Sequence, residues 1–98
     1  MPATPNESPW QERATDSVVA IKNGLETRYE GSLATLVTSA KALTLLTLGG
    51  AEVQVAAKRD LGGGWWEANV LRAAQATDAP RVGSSVRFHI SQVLGGTL

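Results

Sequence analysis

Cysteine is absent from the chain, which excludes disulfides and thiolate chemistry and leaves the redox compartment open. The single histidine, His89, cannot build a histidine-based metal site by itself. Aromatic residues are scarce, three Trp with one Tyr and one Phe, so stacking platforms for single-stranded nucleic acid are few. Neither sign of charge is in excess. Nine basic and nine acidic residues cancel, so no global field draws the chain to nucleic acid or to an anionic membrane. No apolar run approaches the roughly 20 residues of a membrane span, and Met1 to Ser8 lacks the basic start and apolar centre of a signal peptide. These absences set the expectation of a cytoplasmic protein without membrane insertion.

What is present suits one small domain: 98 residues, 43% of them hydrophobic, enough for a single core. The chain is organised around Gly62-Gly63-Gly64-Trp65-Trp66, a flexible triple glycine followed at once by an aromatic pair. Apolar runs from Ala51 to Lys58 and from Trp65 to Ala73 flank the glycines and predict a hairpin. Val53, Val55 and Ala57 alternate with polar residues in the first arm. In the second, Trp66, Ala68 and Val70 share one face while Trp65, Glu67 and Asn69 share the other. Leu71 and Ala73 break that alternation, as they would if a bulge shifted the strand or if both faces were partly covered.

In chain order, residues 1–16 read as a flexible tail, with Pro2, Pro5 and Pro9 among polar residues, and residues 17–98 as the folded domain. Trp10 is too apolar to be left in such a tail without cause. It either covers an open end of the core or contacts a partner, the first being favoured. Val18 to Ile21 predicts a first strand, and Asn23-Gly24 a hairpin turn into a return arm from Thr27 to Glu30. Ser32 to Val37 and Ala42 to Leu48 read either as two strands or as one long helix. Thr35, Thr44, Thr47 and the Gly49-Gly50 stop favour strands. Ala74 to Pro80 is a loop, and Val82 to Ile90 reads as a closing strand in which Val86, Phe88 and Ile90 alternate with Ser85, Arg87 and His89. Ser91 predicts a helical turn through Leu94, ended by Gly95-Gly96. The sum is an all-β fold, a small antiparallel barrel of six or seven strands with at most a short C-terminal helical turn.

From Val18 to Leu94 the order of pieces resembles the PilZ domain family, small six-stranded barrels known as receptors for cyclic di-GMP. The resemblance rests on Tyr29-Glu30-Gly31-Ser32-Leu33 leading into Val37-Thr38-Ser39-Ala40-Lys41-Ala42-Leu43, on Trp66 to Arg72, and on Val82-Gly83-Ser84-Ser85-Val86-Arg87-Phe88. Nucleotide-binding members carry Arg-x-x-x-Arg before the first strand and Asp/Asn-x-Ser-x-x-Gly at a turn between strands. Here only Arg13 stands for the first motif. Val37, Ser39 and Ala42 fill the second, so only the serine survives. One arginine cannot clamp two phosphates, and a guanine edge without its carboxylate or amide partner stays unpaired. The resemblance therefore implies a degenerate member with weak or absent cyclic di-GMP binding, acting as an adaptor that contacts another protein.

The residues themselves do not point to catalysis. Ser39, His89 and Asp60 or Asp78 could supply parts for acyl transfer, but no Gly-x-Ser-x-Gly elbow surrounds a serine. Ser39 reads as a turn residue and His89 as a solvated side chain on the polar face of the last strand. Carboxylates lack paired or metal spacing, and the glycine clusters lack the Lys-Ser/Thr of a phosphate loop. Nucleic-acid binding would use Lys58, Arg59, Arg72 and Arg87 with Trp65 as a platform, against which stands the zero net charge. The expected working surface is thus Trp65 and Arg72, with Trp10 as a further partner contact and Arg13 and Ser39 as remnants of a nucleotide site. A true cyclic di-GMP receptor with an unusual motif is the alternative, with a nucleic-acid-binding small barrel beside it. No other cofactor is expected.

Overall fold

The structure is a computed structural model and describes residues 10–12 and 18–98. In chain order the elements are β1 (Val18–Lys22), β2 (Leu25–Tyr29), α1 (Leu33–Ser39), β3 (Ala42–Leu46), β4 (Glu52–Gly62), β5 (Trp65–Ala73), β6 (Ser85–His89), a 3-10 turn (Ile90–Gln92) and β7 (Gly95–Thr97). Asn23 and Gly24 adopt φ of 53° and 79°, the left-handed pair that a two-residue hairpin turn requires, and so lay β2 antiparallel on β1 from Lys22↔Leu25 to Val18↔Tyr29. The triple glycine turns β4 into β5. Gln54 pairs with Arg72 but Val55 with Val70, which leaves Leu71 as the extra residue of a bulge, one of the two causes its broken alternation allows.

These strands form one seven-stranded mixed sheet in the order β2-β1-β7-β3-β4-β5-β6. The order ends at β2 and β6, and no strand pair among the described residues joins them. Strand alternation sends Leu43, Leu45, Val53, Val55, Ala68, Val70 and Phe88 to one face, where Leu36 and Val37 of α1 close over them. Trp10 joins this core at 2% exposure. It bridges Thr47 at the end of β3, and its indole N–H donates to the Arg87 carbonyl of β6 at 2.8 Å. Trp10 therefore takes the core-covering role of the two that its sequence position allows, and the Gln11 N–H, donating to Leu46 O at 2.8 Å, ties the adjoining chain to the sheet.

Three expectations are corrected. The segment from Ser32 to Val37 is neither a strand nor the start of a long helix. Ser32 caps a seven-residue helix by accepting from the Thr35 N–H at 3.1 Å, and Ala40, extended at ψ 140°, ends it before β3 begins. The cap and the buried pair Leu36 and Val37 outweigh the strand preference of the threonines, and Thr38 bonds back to the Ala34 and Thr35 carbonyls inside the helix. The helical turn begins at Ile90, one residue before Ser91, because His89 supplies the cap. Gly95-Gly96 does not stop the chain but forms β7, which runs parallel to β1 and antiparallel to β3, so the sheet is mixed.

That last strand depends on glycine for closeness. A Cβ on Gly95 would collide with the Val19 carbonyl oxygen, and one on Gly96 would lie 3.1 Å from Leu36 Cδ1 and Ala40 Cβ. Gly95→Ala is accordingly expected to push β1 and β7 apart and to lower unfolding free energy by about 2–4 kcal/mol, read from urea denaturation.

Candidate functional site

The parity that buries Trp66, Ala68 and Val70 turns Trp65, Glu67, Asn69 and, beyond the Leu71 bulge, Arg72 to the outside of β5. Cross-strand pairing adds their neighbours. Arg59 of β4 lies opposite Glu67 and Gln54 opposite Arg72, while on β6 Arg87 lies opposite Glu67 and His89 opposite Trp65. The outward face of β4, β5 and β6 thus carries three arginines, Arg59, Arg72 and Arg87, and two carboxylates, Glu67 among the arginines and Glu52 at the start of β4, with Trp65 and His89 at its far end. A neutral chain carries a locally positive face. Arg59 Nε approaches Glu67 Oε1 at 3.6 Å, but with side chains 68% and 33% exposed this pair is worth well under about 1 kcal/mol.

Trp65 is half-buried and meets the His89 ring edge-on, centroids 5.2 Å apart and planes at 64°. Trp66 instead packs against the core, so Trp65 is the outward member of the pair. His89 is not a solvated side chain. Its Nε2 lies 3.1 Å from the Gly63 carbonyl, where a ring N–H can donate, and its Nδ1 accepts from the Ser91 N–H at 3.1 Å. The Ser91 hydroxyl donates to Glu12 Oε2 at 2.6 Å, and the His89 N–H donates to Gln92 Oε1 at 2.9 Å. This network welds the glycine turn, the end of β6 and the Trp10 segment into one support under Trp65. The signal that reveals it is a capping pattern, His89 followed three residues later by Gln92.

The remaining sequence candidates are dispersed. Ser39 is the exposed last residue of α1, on the layer that covers the inner face, and Arg13 lies outside the described residues. Val37, at the aspartate or asparagine position of the family motif, is 1% exposed and faces the core, and Ala42 begins β3. Arg72 is exposed on the outward face with Trp65, whereas Trp10 is buried.

The acyl-transfer parts do not meet. Asp60 accepts from the Gly62 N–H at 2.8 Å, Asp78 accepts from the Gly49 N–H at 2.8 Å, and neither bonds His89 or Ser39 among the described residues. In the Glu12, Ser91 and His89 network the hydroxyl sits between carboxylate and imidazole, whereas a nucleophilic triad has the imidazole in the middle. No group of three His, Cys, Asp or Glu that could hold a metal occurs among the described residues. On the same outward side, an open groove of about 290 Å³ runs over β1, β7 and β3, with Val19, Ile21 and Leu94 in its wall and Glu26 and Glu52 as its charges.

No helix among the described residues is long and apolar enough to cross a membrane. No family model, curated protein or solved structure matches this chain.

Replacing His89 by Ala removes the Gly63 and Ser91 contacts and the edge that meets Trp65. The expected result is a loss of about 1–2 kcal/mol in denaturation, with amide exchange rising at Gly64 and Ser91 and unchanged in β3.

Proposed function

We propose that this chain is a non-enzymatic adaptor, PilZ-like in kind, that works by protein contact in the cytoplasm and takes up cyclic di-GMP weakly or not at all. The observation that carries the reading is the outward face of β4, β5 and β6, where Trp65 shares a surface with Arg59, Arg72 and Arg87 against the two carboxylates of Glu67 and Glu52. Trp and Arg are the side chains that most often anchor interfaces, one by apolar area and the other by its planar donor fork. A surface so composed suits an acidic partner with an apolar contact for the indole.

The weak-nucleotide part is supported by Ser39, which ends a helix where the nucleotide-binding motif occupies a turn between strands, and by Val37, which is buried. A non-catalytic role is supported by the separation of Ser39, Asp60, Asp78 and His89. One observation favours a second reading. Three arginines and an aromatic on one sheet face also suit single-stranded nucleic acid, although one indole offers little of the serial stacking such surfaces use.

Immobilised wild type, Trp65→Ala and Arg72→Ala, compared on lysate of the source cells before and after nuclease treatment, separate these readings. A protein retained by wild type and lost from both variants is expected. With that protein purified, each substitution should raise the Kd at least about tenfold while unfolding stays cooperative, Arg72→Ala within about 0.5 kcal/mol of wild type and Trp65→Ala within about 2 kcal/mol. Unchanged retention by both variants would remove this face from the account, and retention that nuclease abolishes would support nucleic acid.

A further inference from the structure

β2 is an edge strand, and among the described residues no element lies over either side of it. Leu25, Glu26, Thr27 and Arg28 are all exposed, Leu25 at 71%, and only Tyr29 is partly covered. Its pairing with β1 runs without a bulge, it contains neither proline nor lysine, and its two charges, Glu26 and Arg28, are of opposite sign, so they do not repel a strand of matching order.

The hydrogen-bond phase of this edge follows from β1. The Val19 N–H donates to Leu94 O and the Ile21 carbonyl accepts from the Leu98 N–H, so these two residues direct their backbone groups toward β7. Val18, Ala20 and Lys22 therefore direct theirs toward Tyr29, Thr27 and Leu25, and the N–H and C=O groups of Glu26 and Arg28 point off the sheet. An unpaired row of this kind accepts another strand.

We propose that the strand it accepts is β2 of a second copy of this chain, antiparallel and centred on Thr27. In that register Glu26 lies opposite Arg28 of the other copy and Arg28 opposite its Glu26, and these are the residues whose free backbone groups complete the ladder. Leu25 lies opposite Tyr29 of the other copy on the inner side, which covers the most exposed large hydrophobic residue among those described. Thr27 meets its own twin, a favourable cross-strand pair. The charge order along the edge selects this register. Centring on Glu26 or on Arg28 sets like charges face to face, and a shift of one residue sends the side chains to opposite sides of the sheet. A two-fold interface must be self-complementary, and Leu25-Glu26-Thr27-Arg28-Tyr29 is, read against itself in reverse. Five residues per copy is a small contact, so the dimer forms and dissociates with concentration.

Sedimentation velocity on the full chain from about 10 µM to 1 mM is expected to show a monomer passing to a species of twice the 10.3 kDa chain mass, the range in which contacts of this size associate. Glu26→Arg and Arg28→Glu, each placing like charges opposite each other twice, should weaken association about tenfold, and the double reversal, self-complementary again, should restore it to within about threefold. Restoration by the double variant shows that the fold accepts both substitutions. A monomer at every concentration, a dimer that both single reversals leave unchanged, or a monomer with Glu26 and Arg28 amides protected by another part of the same chain would each overturn the proposal.

Discussion

The structure hinges on the closeness of β7 to its two neighbours. Gly95 lies against the Val19 backbone with no room for a Cβ, and Gly96 fits beneath Leu36, Ala40 and Leu43. Without this short strand the chain is two separate pieces, the β1–β2 hairpin and the run of antiparallel neighbours from β3 to β6. A lone hairpin is marginal in water. Joined through β7, its Val18 and Ala20 reach the same core as Leu43 and Val55, and α1 finds a continuous surface to cover.

The outward side of the sheet is shaped by the same requirement. Once Trp66, Ala68, Val70 and Phe88 are committed inward, the period of two leaves Trp65, Glu67, Arg72, Arg87 and His89 facing away from the core. The bulge at Leu71 brings Arg72 onto that side, since without it Arg72 would fall in the buried register. His89, half-buried under the glycine turn, holds Trp65 by its edge, so the indole is presented from a fixed base. Preorganised aromatic surface of this sort binds with less entropy to lose.

Both hairpins were legible because their turn residues carry the information locally: Asn23-Gly24 needs left-handed backbone, and the triple glycine separates two runs of strand length. The inward and outward sets of β5 and β6 followed from alternation, and with them the shared face of Trp65 and Arg72. The helix at Leu33 to Ser39 was masked by threonines whose strand preference is a packing effect, whereas Ser32 as a cap and the buried Leu36 and Val37 decide the outcome. β7 was illegible for a plainer reason. Gly95-Gly96-Thr97 has no pattern of its own, and its extended form comes from partners distant in sequence. The support around His89 also draws in Glu12 and Gly63, distant pieces that no spacing relates to it.

The most direct test of the adaptor account is a cyclic di-GMP titration of isotope-labelled protein followed through its backbone amides, from micromolar to millimolar ligand. The account predicts a well-dispersed β-type spectrum in which no resonance near Ser39 shifts saturably. Saturable shifts confined to Arg13 and the Val37 to Ala42 segment would contradict it and make this chain a nucleotide receptor with an unusual motif.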